Sequence, residues 1–438
     1  MSGWTADGSH DKEARREVKK GLMCAKWRNG YEPQLILDKV RPLVSLDMKG
    51  NVVFGGLDYH LKYGPILVSA VDFCLDIPEI QKETLVTTGI QEAVKKGILT
   101  PDGVKQAISR AERDFLNRKT SNFVLVTSIS FRKMPPFRKV IITGQTIAFS
   151  KSLPRQFDRT SAERRFLQLS TTAVPTDYTA VRVACSGRTQ TEAAEKALAA
   201  LALLMGIWNF LLTRISVSFS LTDSGTGPIA GLRLGPMHTL HHPNGQIATA
   251  AIWYEPTYMQ PAPEVDYSDK FEKLRKSERW ILKQISKAKD GERLRNAFMR
   301  YASAVDEPRL ETAFLRFWSL LEHLTDPPRG SYDKTIQRTA FTYNDPSIAR
   351  QELQHLRDVR NGLVHHGASS TDPQAHVYQI KRYVDDLMLF FLRERNITKS
   401  RDEINEFLDL PPDADELERK CSLFKRAITF RSPKGGRK

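Results

Sequence analysis

Glu255-Pro256-Thr257-Tyr258-Met259-Gln260-Pro261-Ala262-Pro263-Glu264 can continue neither a helix nor a central strand, because its prolines remove backbone donors and clash with a preceding turn. The hydrophobic period differs on its two sides. Before it, runs rich in Val, Ile, Thr and aromatic residues at 66–73, 123–131, 140–147, 178–185, 215–221 and 247–254 read as strands. Among them lie a broken helical pattern over 83–116 and a strong helix over 189–212, opened by Thr191 and Glu195. After it, apolar residues recur at helical spacing over 267–288, 292–304, 308–325, 335–341, 347–365, 373–395, 401–408 and 414–427. The breaks fall at Asp326-Pro327-Pro328, Asp345-Pro346, Gly367 and Pro411-Pro412. The expected architecture is an α+β domain over 1–265, an all-α helical bundle over 266–430 and a basic disordered tail over 431–438.

Charge narrows the partner class. The 438 residues carry a formal net charge of +15, divided as about +9 before the boundary and +6 after it, so the excess is not one detachable tail. A field of that sign attracts polyanions, which points to RNA, DNA or a nucleotide. Cys24, Cys74, Cys185 and Cys421 are too far apart in sequence to make a zinc or redox motif, and a reducing compartment is expected. The first sixteen residues hold no apolar core of a secretory signal. The alanine-rich run 197–212 is shorter than the ~20 residues that span a bilayer and reads as a buried core helix. The expectation is a cytoplasmic protein without a membrane segment.

The stretch His355-Leu356-Arg357-Asp358-Val359-Arg360-Asn361-Gly362-Leu363-Val364-His365-His366-Gly367 gathers the side chains able to do chemistry. On a helix, Asn361 and His365 stack four residues apart, and Arg360 beside them has the reach to swing across. Gly367 is placed to stop the helix. Cleaving RNA without a metal requires a base for the 2′-hydroxyl proton, an acid for the leaving 5′-oxygen and fixed positive charge on the phosphorane. Histidine can serve either proton role and arginine offers a forked donor to phosphate. Asn361 can orient the phosphate or the imidazole. One histidine does not easily do both jobs, and a symmetric dimer would supply the second.

The Arg360-Asn361-x-x-x-His365 signature resembles that of HEPN-family ribonucleases. Upstream, Phe314-Leu315-Arg316-Phe317-Trp318-Ser319-Leu320-Leu321-Glu322-His323-Leu324 is similar to the aromatic, glutamate-containing helix that precedes the motif in the Apea-like branch. The resemblance covers about residues 267–430. It implies a HEPN-like bundle forming a homodimer through the C-terminal domain, and a metal-independent endoribonuclease without cofactor. Such enzymes serve prokaryotic antiphage defence or toxin–antitoxin systems, so a phage trigger or an antitoxin is an expected partner. The alternative is a non-catalytic HEPN-like dimerisation and RNA-binding module. Arg360, Asn361 and His365 are the candidate catalytic residues. Glu322, on an apolar helix face, needs a partner, for which Arg360 is the candidate, and His366 is ancillary.

Arg132, Lys133, Phe137, Arg138 and Lys139 mix basic and aromatic character, so charge could hold phosphates while the ring stacks on a base. His238, His241 and His242, followed by Pro243-Asn244-Gly245, read as a turn between strands with no carboxylate to complete a metal set. The glycines at 225, 227 and 231 read as a hairpin loop, since no Lys-Ser/Thr pair follows them.

Overall fold

Gly64-Pro65 opens the first surprise of the computed structural model, which describes residues 25–73, 77, 79–131, 133–170, 172–214, 227–256, 258–259, 268–365, 370, 372–394 and 400–431. The chain mixes helices with sheets in its N-terminal region and is helical from residue 268 on. Its contacts divide it into two units, Met1–Phe123 with Ser186–Lys196, and Val124–Cys185 with Ala197–Lys438. The proline-rich stretch therefore marks a change of secondary structure, while the principal sheet and the C-terminal helices belong to the same unit.

The first unit holds β1 (Lys26–Trp27), α1 (Pro33–Val40), β2 (Val44–Leu46), β3 (Val52–Phe54), α2 (Gly64–Ala70), β4 (Val71–Asp72), α3 (Glu79–Lys95) and α4 (Pro101–Asn117). Strand β1 pairs with β4 and β2 with β3, both antiparallel. The strand expected over 66–73 is mostly helix. Pro65 stands in the first turn, where its missing N–H costs nothing, and burial of Leu67 and Ala70 outweighs the strand preference of Ile66 and Val68. Helices α3 and α4 account for the broken pattern over 83–116. Thr100 caps α4 by accepting from the Gly103 amide at 3.2 Å. Gly89 lets the two helices touch, since a Cβ there would stand 2.9 Å from the Ile108 nitrogen.

The second unit is built on a six-stranded sheet of β5 (Ser121–Ile129), β6 (Lys139–Ile142), β7 (Gln145–Ser150), β8 (Thr179–Gly187), β9 (Met237–His241) and β10 (Trp253–Tyr254), in the order β10-β9-β5-β8-β7-β6. The expected strand over 140–147 is instead a hairpin, because Thr143 (φ 47°) and Gly144 (φ 80°) both turn left-handed and reverse the chain. Of 247–254 only Trp253–Tyr254 pairs as a strand. The expected strand over 215–221 lies outside the described residues. Helix α5 (Thr160–Leu169) leads from β7 toward β8, and α6 (Gln190–Thr213) follows β8. Thr189, not Thr191, opens α6, its hydroxyl accepting from the Glu192 amide at 3.1 Å. Among the described residues α6 is the one helix long and apolar enough to cross a membrane, and 67% of its most apolar window is buried in the protein.

Helix α6 explains why sheet and bundle share a core. Within the second unit Trp208 packs against Phe131 and Phe149, and its indole donates to the buried Glu278 carboxylate at 2.9 Å. Phe210 packs edge-on against Phe298 and Tyr301. An apolar stripe on all sides can serve two layers at once. The helical layer comprises α7 (Phe271–Lys287), α8 (Gly291–Asp306), α9 (Leu310–Thr325), α10 (Tyr332–Ala340), α11 (Pro346–His365), α12 (Pro373–Arg393), α13 (Arg401–Leu408) and α14 (Ala414–Arg431). These follow the expected helices closely, and α14 runs on to Arg431; residues 432–438 of the expected tail lie outside the described ones.

Candidate active site

Ala349, Leu353 and Leu356 form the buried stripe of α11, and the next position at the same spacing is Arg360. Its side chain is therefore drawn half into the protein, Asn361 beside it is likewise half-buried, and His365 one turn on is exposed. The Arg360 guanidinium lies 4.9 Å from the ring centroid of Tyr332, the first residue of α10. From there it turns back along its own helix. One nitrogen donates to the Asn361 side-chain oxygen at 3.3 Å and reaches His365 Nε2 at 3.5 Å. A guanidinium has only donors, so this contact assigns Nε2 the acceptor role and the ring proton to Nδ1. The three candidate residues are thus brought together, and the imidazole stands exposed.

The support beneath them differs from the expected one. Glu322 accepts from the indole Nε1 of Trp318 at 2.8 Å, one turn earlier on α9, and does not pair with Arg360. The reason lies in helical geometry, since a residue four positions away on the same face is nearer than a neighbouring helix. Trp318 is buried and meets Tyr332 edge-on, with centroids 6.1 Å apart. The order of contact is Glu322, Trp318, Tyr332, Arg360, then Asn361 and His365. Tyr332 was missed in the sequence, where only its place after the Asp326-Pro327-Pro328 break marks it as the start of a helix. Arg357, also on α11, is bound to Asp333 at 3.3 Å and to Asp358 at 3.2 Å, so the acidic groups near the motif hold Arg357 and not Arg360. His366 lies outside the described residues.

A second histidine pair flanks the same helices. His355 of α11 and His376 of α12 have ring centroids 5.3 Å apart, and His376 Nδ1 lies 2.7 Å from the Ser370 hydroxyl. Burial first, and then His355, lower the tendency of His376 to take a proton.

The other candidates divide. Phe137 faces inward, edge-on to Phe149, Trp208 and Phe271, with the Arg275 guanidinium 4.7 Å from its centroid. The ring is half-buried and packs against the core through these contacts, with part of its surface left open. Lys133, Arg138 and Lys139 are exposed, and Arg132 lies outside the described residues. His238 and His241 are not in a turn but in β9, whose residues are all buried. His238 Nδ1 lies 2.7 Å from the Thr127 hydroxyl, and His241 uses its two nitrogens toward the Gly245 carbonyl and the Thr239 hydroxyl. Among the described residues no three His, Cys, Asp or Glu side chains stand close enough together to hold a metal ion. Of the glycine run, Gly227 and Ala230 donate their amides to the carbonyls of Pro308 and Val305, at and beyond the end of α8.

No family model, curated protein or solved structure matches the chain.

Proposed function

We propose that the C-terminal helical region is a HEPN-type, metal-independent endoribonuclease that cuts RNA as a homodimer, with a role in prokaryotic antiphage defence or a toxin–antitoxin pair. The observation that carries this reading is the assembly of Arg360, Asn361 and His365 around one guanidinium, within 3.3 and 3.5 Å, at an exposed helix end. Arg360 is half-buried on an aromatic ring, which limits its motion before a phosphate arrives.

The chemistry follows from the donor set. A phosphate entering beside α11 takes the guanidinium fork of Arg360, a geometry that favours two oxygens of one phosphoryl group. Moving toward the phosphate frees the Nε2 lone pair of His365 to accept the 2′-hydroxyl proton. The 2′-oxygen attacks phosphorus, the bond to the 5′-oxygen breaks, and the leaving oxygen takes a proton from the His365 of the second copy. The products are a 2′,3′-cyclic phosphate and a 5′-hydroxyl. Asn361 holds the guanidinium or the phosphate in line.

The test is cleavage of RNA in EDTA by the wild-type protein and by His365→Ala and Arg360→Ala, with end-group analysis and gel-shift binding alongside. Wild type is expected to leave 2′,3′-cyclic ends in EDTA, and both variants to lose cleavage. His365→Ala should keep its RNA affinity and Arg360→Ala should lose part of it. Activity that requires a divalent ion, or a fully active His365→Ala, overturns the mechanism. RNA binding without cutting by the wild type would leave the non-catalytic binding module in its place.

A further inference from the structure

Helix α14 buries none of its residues. Leu423, Phe424, Ile428 and Phe430 are 50%, 64%, 66% and 83% exposed, although each is a large apolar side chain. Leu417, Cys421, Phe424 and Ile428 follow one another at spacings of four, three and four, the seam of a two-helix coiled coil. Eighteen residues make about five turns, a length that is marginal for a helix with no packed face.

We propose that α14 is a self-association surface whose occupant is the α14 of a second copy, running antiparallel across a two-fold axis between Ser422 and Leu423. In that register Leu417 meets Ile428 of the other copy and Cys421 meets Phe424, twice over by symmetry. Charge selects the direction. The helix opens with Asp415, Glu416 and Glu418, of which Glu416 is paired within the helix by Arg419 and Lys420, and its second half carries only basic charge, Lys425, Arg426 and Arg431. The position flanking the seam at Glu418 recurs at Lys425, and antiparallel helices bring these two together with opposite signs. A parallel pair would set Lys420 against Lys425 instead, like against like. The macrodipoles also oppose each other only in the antiparallel arrangement. This surface makes no use of the ribonuclease reading and stands whether or not the protein cuts RNA.

Two such helices bury on the order of 1,000 Å², the low end of specific interfaces. The experiment is sedimentation velocity on the full chain over a concentration series, with circular dichroism to verify folding. The wild type is expected to dimerise, and Phe424→Asp with Ile428→Asp to weaken the dimer by about tenfold or more. Glu418→Lys and Lys425→Glu should each weaken it, and the two together should restore it, since the swap re-forms both pairs. A monomeric wild type, or a dimer indifferent to the Phe424 and Ile428 changes, overturns the proposal. Single charge variants that have no effect, or a double variant no better than either, overturn the antiparallel register and with it the claim.

Discussion

Arg360 sits where an apolar residue would complete the stripe of α11, and Tyr332 is what makes that position tolerable for a cation. A ring face attracts the guanidinium without neutralising it, whereas a carboxylate partner would compete with phosphate for the same donors. The prediction at this scale concerns Tyr332. Tyr332→Ala should lower RNA cleavage by about fivefold, corresponding to the ~1 kcal/mol such contacts supply, while Tyr332→Phe keeps the ring and should stay near wild type. Cleavage time courses on the two variants decide it; equal losses would assign the role to the hydroxyl. Of this cluster the sequence made Arg360, Asn361, His365 and Glu322 visible, because their types and spacing carry chemistry. It hid Tyr332 and misassigned the partner of Glu322, because spacing along one helix says nothing of which neighbouring helix lies across from it.

At the scale of elements, close approach is decided by missing side chains. Gly206 lies in α6 directly over the backbone of Phe298 in α8, and a Cβ added there would collide with the Phe298 carbonyl oxygen. The neighbour is backbone and cannot rotate away, so the helices must separate. Gly206→Ala should therefore destabilise the protein by about 1–3 kcal/mol despite alanine's better helix propensity, the sign set by overpacking and not by propensity. A melting curve reads this directly, and an unchanged or raised midpoint would mean that α6 and α8 adjust freely. The apolar run of α6 was legible as a buried helix from composition alone. Its service to both the sheet and the helices was not, since a stripe that is apolar on all sides does not name its neighbours.

Across the whole molecule, histidines that are buried without charge set a pH dependence of stability. Burial holds His238 down to about 3, with Arg159 adding to the effect, and lowers His241 as well. Between about pH 6.5 and pH 3 the unfolded chain binds these protons and the folded one does not, so stability falls as pH falls through that window. For His238 the full difference is up to about 5 kcal/mol. Asp385 works in the other direction: burial pushes it up to about 6 even beside Lys381 at 2.7 Å, so its contribution is lost as pH rises from about 4 to 6. Comparing denaturation midpoints of wild type and His238→Gln from pH 7 to pH 4 separates the two, since Asp385 is common to both. The variant should lose stability less steeply with acid, and parallel curves would remove His238 from the account.

The sequence by itself determined the order of elements, sheets mixed with helices first and helices alone afterwards, and the breaks between the C-terminal helices. Period and punctuation are local properties, read from residues a few positions apart. It also singled out Arg360, Asn361 and His365, which one helical turn holds together. Tertiary structure decided what locality cannot express. It made a helix of residues 64–70, placed His238 and His241 in a buried strand, packed one side of Phe137 against Trp208, and joined sheet and bundle in one unit through α6. In these cases burial against a partner distant in sequence outweighs a preference of order 1 kcal/mol or less, whereas the hairpin at 139–150 follows from its own left-handed turn.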